Sequence, residues 1–209
     1  MSYRHEIGIG ASVDRLEKLI QERLKPGADK EKIDRRIWDL FGEDWCIMFT
    51  DLSGFSRGVA KFGIIHFLQT IFESERLVIP IIEDYDGILL KTEGDSLLVI
   101  FRNVDKAINC CFKIHEVLHE YNKDKNPEEH VIICIGLGYG KVLRIGDADV
   151  FGAEVNAASK LGEDTAGAWE ILVTDNVKNK MVNKNGMSFE ELEEAPPGAE
   201  KAFKIVLNK

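Results

Sequence analysis

Two short stretches of this chain place a carboxylate beside a glycine at the end of an apolar run. The first is Phe49–Phe55, with its carboxylate at Asp51, and the second is Lys91–Asp95, which ends at Asp95. A carboxylate at a strand end, next to backbone that approaches a ligand closely, suits a divalent metal ion that carries phosphate. Two such carboxylates, brought together by a sheet, would hold a pair of metal ions.

The hydrophobic pattern predicts the elements that would bring these carboxylates together. Four strand-like runs and two helical patterns follow one another in the order strand, helix, strand, strand, helix, strand. In chain order they cover residues 45–50, 59–79, 88–90, 96–101, 104–122 and 130–137. This is the split βαβ, or ferredoxin-like, plan, in which the first and third strands are antiparallel neighbours. The sequence therefore predicts an α+β domain with a ferredoxin-like βαββαβ core, in which Asp51 lies beside Asp95.

The long helical pattern at 59–79 should end or kink at Pro80, because proline lacks the N–H group that a helix interior requires. Several apolar residues of this pattern are predicted to share one face of the helix. They are Phe62, Ile65, Leu68, Ile71 and Phe72.

Further elements are predicted on both sides of the core. Amphipathic helices at 12–24 and 30–41 form an N-terminal helical extension, residues 1–43, ahead of a main domain, residues 44–209. The extension is either a dimer-contact or transmission segment, or it simply packs on the domain. Extra C-terminal α/β elements follow the core. They are a helix at about 153–161, a strand at 171–173, a short helix from Asp175 and strands at 188–190 and 203–207.

Composition narrows the class of protein. The 209 residues are 44% hydrophobic and 30% charged, as in a globular protein with a real core. The formal net charge of −9 argues against nucleic-acid binding, which needs a basic surface. We expect no signal peptide and no membrane span, and therefore a cytoplasmic location. The cysteines fit neither a zinc site nor a disulfide framework, which favours buried free thiols at Cys46, Cys110, Cys111 and Cys134.

Four segments, in one order, resemble the catalytic domain of class III adenylyl/guanylyl cyclases. They are Phe49–Phe55, Lys91–Asp95, Gly136–Val142 and Asp149–Lys160. Each motif alone is weak, whereas all four in order on a ferredoxin-like strand pattern are specific. The resemblance covers well over half of the chain. It implies the class III nucleotidyl cyclase fold and a signalling enzyme that converts ATP to 3′,5′-cyclic AMP and pyrophosphate.

The same resemblance implies a metal site and its phosphate contacts. Asp51 and Asp95 correspond to the two metal-binding aspartates, and the carbonyl of Leu52 corresponds to the backbone ligand. Each site would hold two Mg²⁺ or Mn²⁺ ions. The backbone of Gly54, Phe55 and Ser56 would meet the triphosphate, since it opens a helix and helix N-termini suit anions.

The resemblance also implies residues that select the base and act on the ribose and phosphate. Lys91 and Asp149 correspond to the base-reading pair and are the adenine-selecting types, whereas guanylyl cyclases typically carry Glu and a small or polar residue there. Asn156 corresponds to the asparagine that orients the ribose. Lys160 stands where the family usually has the arginine that stabilises the transition state. Three of these residues also have a purely structural explanation. Lys91 would be an ordinary strand-end lysine, Asp149 would cap the following helix, and Asn156 would make a local hydrogen bond.

Two departures from the family pattern affect these expectations. Lys160 keeps the positive charge but lacks the planar fork of arginine, so the rate should suffer or another cation must help. Arg144 is a candidate helper, although its position favours a solvated hairpin charge. The turn at Lys141–Ala148 is short, whereas many relatives have a longer arm that reaches over the partner subunit.

In the family, the metal-binding and base-reading residues of one site come from opposite subunits. A homodimer with twofold symmetry would then form two equivalent sites. Two alternatives to an adenylate cyclase stay open. One is a degenerate cyclase-homology domain that binds nucleotide or a partner and signals through dimerisation. The other is a cyclase for a different nucleoside triphosphate.

Overall fold

The computed structural model describes residues 10–54 and 62–208. Its helices are α1 (Ala11–Arg23), α2 (Lys30–Phe41), α3 (Ile64–Asp84), α4 (Val104–Asn122), α5 (Ala153–Ser159) and α6 (Asp175–Lys180). Its strands are β1 (Gly42–Leu52), β2 (Ile88–Glu93), β3 (Ser96–Phe101), β4 (Ile133–Ile145), β5 (Asp149–Phe151), β6 (Ile171–Thr174), β7 (Met187–Glu191) and β8 (Ala202–Leu207). A 3₁₀ turn covers Pro127–Glu129, and a π-helical turn, Lys160–Thr165, continues α5.

One sheet organises these elements, with the strand order β2-β3-β1-β4-β6-β8-β7 and with β5 paired to β4. The strand β1 is antiparallel to both of its neighbours, β3 and β4, whereas β4 and β6 are parallel. The order β2-β3-β1-β4, with α3 after β1 and α4 after β3, is the predicted ferredoxin-like core. The predicted α+β fold is therefore confirmed.

Both faces of the central strands are covered. All six residues of β3 are buried, and so are Trp45–Met48 of β1, as expected for continuous apolar runs. On one face, α3 and α4 cover a core that includes Cys46, Met48 and Val99. On the other face, α5 packs through Val155 and Ala158 against a smaller cluster. The candidate residues therefore lie at the ends of rigid strands.

The helix α3 continues through Pro80 to Asp84, so of the two predicted outcomes, an end or a kink, the end is wrong. Proline at this position removes one hydrogen bond and costs about 3 kcal/mol in a helix interior. The burial of Ile81 and Ile82, at 8% and 0% exposure, offsets that cost because these side chains join the main core.

The apolar face that the sequence predicts for α3 is largely exposed to solvent. Ile65 and Phe72 are 75% and 64% exposed, and only Ile71 of the predicted set packs against the core. A different face enters the core, mostly in the C-terminal half of the helix. Its buried residues are Phe67, Ser74, Val78, Ile81 and Ile82. The N-terminal half of α3 therefore presents an apolar surface to solvent.

The strand β4 is longer than predicted and runs to Ile145 before a turn leads into β5. Residues 141–148 are thus mostly the arm of a hairpin rather than a turn. The helices α1 and α2 pack on this arm through Leu19, Ile33 and Ile37, which cluster with Ile145. The division of the chain at residue 43 stays a prediction.

Two further expectations concern the whole chain. The four cysteines are all buried and free, which confirms that prediction. Within the residues that the structure describes, we find no helix that combines the length and the apolar character needed to cross a membrane.

Candidate active site

The first group of site residues lies where β1 ends beside the start of β3. The register pairs Thr50 with Leu97, which brings Asp51 next to the β2–β3 turn that carries Asp95. The Ser96 hydroxyl donates a hydrogen bond to Asp51 Oδ1 over 3.1 Å. The two carboxylates that the sequence separates are thus neighbours, as predicted. We call Asp51, Asp95 and Ser96 the carboxylate half of the site.

The electrostatic setting of this half disfavours two ionised carboxylates. Burial and then the charge of Asp95 raise the pKa of Asp51 to about 6, against the hydrogen bond from Ser96. Burial also raises the pKa of Asp95, although the backbone N–H groups of Asp95 and Leu52 oppose the shift. Glu163 raises the pKa of both aspartates through its negative charge. The half therefore gathers negative charge that a cation would neutralise.

This donor set fits a divalent metal ion. Carboxylate and carbonyl oxygens are the ligands that Mg²⁺ prefers, and Mg²⁺ often binds through one or two carboxylates plus substrate phosphates. Among the described residues, no group of three or more His, Cys, Asp or Glu side chains is placed to hold a metal ion. The aspartate pair with the carbonyl of Leu52 therefore suits an ion whose coordination the phosphates complete, rather than a closed structural site.

The second group joins β2 to β5. Lys91 Nζ donates a hydrogen bond to Asp149 Oδ2 over 2.5 Å, and this hydrogen bond raises the pKa of Lys91. Glu93 lies 3.7 Å from the same ammonium group. The backbone N–H of Val150 donates to the other Asp149 oxygen, Oδ1, over 2.9 Å, which fixes the carboxylate. The predicted base-reading residues are therefore in direct contact, with a donor beside an acceptor.

A cavity of about 210 Å³ opens at this ion pair. Its polar lining includes Asn156, and we call Lys91, Asp149 and Asn156 the ion-pair half of the site. Ser96 also lines the cavity and contacts Asp51, so it connects the two halves. The remaining lining residues are Phe49, Glu93, Leu98, Val150, Val155, Ser159 and Glu163.

The glycines of β4 explain how α5 reaches this cavity. A β carbon at Gly136 would lie 2.3 Å from the carbonyl oxygen of Ala158, and one at Gly138 would lie 2.3 Å from that of Glu154. Real side chains do not tolerate such distances, so only glycine lets α5 lie this close to the sheet. The third sequence motif, Gly136–Val142, therefore serves as the surface on which α5 rests.

Comparison with known proteins agrees with this architecture. The sequence profile of the family described as "Adenylate and Guanylate cyclase catalytic domain" matches residues 42–205. The chain belongs to this family. It therefore carries a domain of the nucleotide cyclase class, and members of this class generally use divalent metal ions.

Individual relatives are distant. The adenylate/guanylate cyclase/hydrolase of Silicibacter pomeroyi is 23% identical, with a TM-score of 0.66 over 80% of this chain and 99% of that one. A bacterial light-regulated adenylyl cyclase is 21% identical, with a TM-score of 0.68 over 95% of this chain and 63% of that one. A Rhizobium meliloti (strain 1021) protein named "Putative adenylate cyclase 3" is 22% identical over 77% of this chain. The chain spans only 16% to 26% of the length of the curated relatives that it matches.

Two cations of this cyclase domain lie apart from the cavity lining. Lys160 is exposed and forms an ion pair with Asp164, one helical turn further on. Arg144 lies over the ring of Trp45, and its guanidinium donates hydrogen bonds to Gly146 O and to Asp147 Oδ1. Arg144 is therefore a hairpin residue as predicted, but its side chain is only 18% exposed, so it is not the solvated charge that was expected.

The expected phosphate-binding backbone lies beside a neighbouring cavity of about 160 Å³. Leu52, Ser53 and Gly54 line this cavity. The Ser53 N–H donates to Ile132 O over 2.8 Å, and Gly54 has a positive φ of 90° that favours glycine. Phe55 and Ser56, the other two predicted phosphate contacts, lie outside the described residues.

Sequence reasoning missed four polar residues of the cyclase cavity, Glu93, Ser96, Ser159 and Glu163. Ser96 directly follows Asp95 and begins the predicted strand at 96–101. Its place next to the aspartate was the signal that could have identified it. Ser159 and Glu163 hydrogen-bond to each other at the junction of α5 and the π-helical turn. Nothing in the sequence marks that junction, because a π-helical turn depends on packing rather than on a residue pattern.

Proposed function

We propose that this chain is a nucleotidyl cyclase that converts ATP to 3′,5′-cyclic AMP and pyrophosphate at a site completed by a second copy of the chain. The observation that carries the proposal is the contact between Lys91 and Asp149 at the mouth of a cavity that also presents Asn156. The aspartate pair at the adjacent strand ends supports it. Family membership supplies the class of reaction.

The ion pair is suited to the Watson–Crick edge of adenine. The Lys91 ammonium donates to N1 of the base, and the Asp149 carboxylate accepts from the exocyclic N6 amino group. Both groups keep their mutual hydrogen bond while they contact the base, since an ammonium has three donors and a carboxylate has several acceptor positions. Apolar residues such as Leu98 and Val150 line the same cavity and favour a flat aromatic ring.

The carboxylate half would hold the metal ions of the reaction. Asp51 and Asp95 would bind them through carboxylate oxygens, and Leu52 through its carbonyl. Two Mg²⁺ or Mn²⁺ ions, when bound, lower the pKa of the ribose 3′-hydroxyl and neutralise the leaving phosphates. The 3′ oxygen attacks the α-phosphorus in line, its proton leaves to solvent, and the bond to pyrophosphate breaks.

Residues of α5 and the following turn would act on the ribose and the α-phosphate. Asn156 orients the ribose so that the 3′ oxygen faces the phosphorus, which lowers the entropic part of the barrier. Lys160 opposes the negative charge that develops on the α-phosphate. Its ammonium contacts Asp164 in this structure, so it must leave or share that carboxylate when it reaches the substrate.

A second copy of the chain would supply what the carboxylate half lacks. In one chain the aspartates lie near Glu163, while Lys160 points to solvent beside Asp164. A homodimer would place the Lys160 of each chain opposite the aspartates of the other. The exposed apolar surface of α3 supports dimer formation, because a surface of this kind marks a protein contact. It consists of Ile64, Ile65, Leu68 and Phe72.

The direct test is a substrate assay. Purified protein is incubated with each of the four nucleoside triphosphates and with Mg²⁺ or Mn²⁺, and the products are identified by mass spectrometry. We expect 3′,5′-cyclic AMP and pyrophosphate from ATP. A cyclic product from another nucleotide alone would change the substrate, and no cyclic product from any of them would refute the enzyme proposal.

A mixing experiment tests the shared site. Asp51→Asn and Asn156→Ala should each keep only about 1% of the wild-type rate or less, whereas a mixture of the two should regain about a quarter of that rate. Half of the dimers are mixed, and each mixed dimer has one intact site of its two. A mixture as inactive as its components would show that each chain uses its own aspartates and its own Asn156.

One observation favours a second candidate, a cyclase-homology domain that binds nucleotide without turnover. Lys160 replaces the usual arginine and is already paired with Asp164. Lys160→Arg distinguishes the two proposals. If Lys160 faces the α-phosphate, the arginine should hold or raise the rate, because its planar fork binds two phosphate oxygens. Nucleotide binding without any product, in both the wild type and this variant, would favour the binding module.

A further inference from the structure

Glu154 is a buried carboxylate that neither the motif nor the cavity explains. It lies in the first turn of α5 and is only 5% exposed. Its partners are three neutral donors on the elements behind the helix. The Tyr139 N–H and the Thr174 hydroxyl donate to Oε2 over 3.0 Å and 2.8 Å, and the Asn176 amide donates to Oε1 over 2.6 Å.

These partners connect α5 to three different parts of the fold. Tyr139 belongs to β4, Thr174 ends β6, and Asn176 belongs to α6. A backbone N–H group can only donate, so the contact with Tyr139 requires an acceptor at position 154. Burial raises the pKa of Glu154, whereas these three hydrogen bonds favour its ionised form. A buried polar group with all contacts satisfied specifies one arrangement of the elements it joins.

The backbone around Glu154 is fixed as closely as its side chain. A β carbon at Gly138 would lie 2.3 Å from the Glu154 carbonyl oxygen and 2.9 Å from Oε2, and one at Gly140 would lie 3.0 Å from Cγ. The helix therefore contacts β4 directly at this residue. Asn156 lies two residues further on and faces the cavity, so any rotation of α5 at Glu154 moves the Asn156 amide.

We infer that Glu154 is a positioning residue, which fixes α5 on β4 and β6 so that Asn156 faces the bound ribose. This inference rests on the proposed function, because it takes the role of Asn156 from there. Glu154 itself contacts no substrate. Its effect on the reaction passes through the orientation of α5.

The test compares Glu154→Ala with a matched control, Asn122→Ala. Asn122 is a second buried polar residue, 8% exposed, and it makes two hydrogen bonds to the backbone of Val131. It lies at the end of α4, on the other face of the sheet from α5. Both variants lose buried hydrogen bonds, but only Glu154→Ala should disturb the cavity.

We expect Glu154→Ala to lower kcat by about 10-fold to 100-fold while KM for ATP changes less than about threefold, because a misplaced group costs rate more than binding. Glu154→Gln should stay within about threefold of the wild-type kcat, because the Asn176 amide can rotate to accept a hydrogen bond from the new amide. In an Asn156→Ala background, adding Glu154→Ala should cost little more, because the residue through which it acts is already gone.

Three outcomes would overturn the inference. They are an unchanged kcat in Glu154→Ala, the same loss in the Asn156→Ala background, and an equal loss of kcat in Asn122→Ala. Hydrogen exchange gives a readout that does not need turnover. Amides of residues 153–159 should exchange at least about tenfold faster in Glu154→Ala and not in Asn122→Ala. Absence of product in the wild type would refute the proposed function, whereas unchanged exchange in Glu154→Ala would refute the anchoring of α5.

Discussion

The ion-pair half and the carboxylate half of the site differ in whether the chain itself balances their charges. In the ion-pair half, Lys91 and Asp149 neutralise each other over 2.5 Å, and the chain satisfies both groups without a ligand. In the carboxylate half, burial raises the pKa of both aspartates. The charge of Asp95 raises the pKa of Asp51 further, and the charge of Glu163 raises both. One half is complete as folded and the other needs a cation. The comparison indicates that the first half recognises its ligand by shape and hydrogen bonding and the second by charge.

The largest effect should follow from loss of a charge in the carboxylate half. Asp51→Asn or Asp95→Asn should lower the rate of cyclic AMP formation by at least about 1,000-fold, because either change removes a metal ligand. The fold should persist, since the change also removes repulsion between like charges. Product formation measured by mass spectrometry, with urea unfolding in parallel, checks this. Asp147→Asn, in the exposed β4–β5 turn, is the control, and an equal loss there would contradict the assignment.

The next effect concerns the ion-pair half. Lys91→Ala should lower kcat/KM for ATP by about 10-fold to 100-fold, because a lost charged hydrogen bond to the base costs about 1.5–3 kcal/mol. The preference for ATP over the other nucleotides should shrink as well. Competition assays with all four nucleotides measure both quantities. A uniform loss for every nucleotide would mean that Lys91 does not read the base.

A smaller effect, the pH dependence of metal binding and of stability, should distinguish the carboxylate half from the ion-pair half. The pKa of Asp51 is raised to about 6, so a bound proton competes with a metal ion below that pH. Mn²⁺ should therefore raise the melting temperature more at pH 7.5 than at pH 5. Without metal, the contribution of Asp51 to the free energy of unfolding, measured as the difference between wild type and Asp51→Asn, should fall as the pH rises from about 4 to 6, because the folded Asp51 holds more protons in that window. Asp51→Asn should weaken both dependences, with Asp95 supplying what is left. A metal shift and a pH dependence of wild-type size in this variant would contradict the prediction.

The smallest effect concerns His115, a second group whose shifted pKa makes stability depend on pH between about 4 and 6.5. Burial, and then the nearby His119, lower the pKa of His115 to about 4, and its Nε2 atom is buried with no hydrogen-bond partner in the described part of the chain. This histidine stabilises the fold above pH 6.5, and its contribution is lost as the pH falls towards 4. Its contribution to the free energy of unfolding should fall by about 3 kcal/mol there. His115→Phe should remove this loss of stability at low pH and leave the pH dependence that Asp51 causes. If His115→Phe loses as much stability between pH 6.5 and 4 as the wild type, His115 is not its cause.

The sequence was sufficient to predict the order of the four core strands and the meeting of Asp51 with Asp95, because both follow from local periodicity and one known plan. The bounds of α4, 104–122, were also predicted correctly. The continuation of α3 past Pro80 was not predicted, because it depends on packing against core residues that are distant in the sequence. The continuation of β4 to Ile145 was missed because glycine weakens the strand pattern.

The contacts around the cavity show the same division. Residue types at motif positions indicated Lys91, Asp149 and Asn156, but no local pattern indicated that Lys160 would pair with Asp164 or that Glu163 would lie near the aspartates. Such pairings depend on how the chain turns after α5. They are properties of packing, and periodicity carries no information about them.

The close approach of α5 to β4 has a consequence for how this sequence can vary. At Gly136 and Gly138 the excluded group is a single methyl, so even alanine is too large, whatever its polarity. A change there would introduce no charge and remove no hydrogen bond, yet it would lift the helix from the strand. In a library of random variants of this chain, we expect Gly136 and Gly138 to accept as few substitutions as the charged residues of the site, although both lack a side chain.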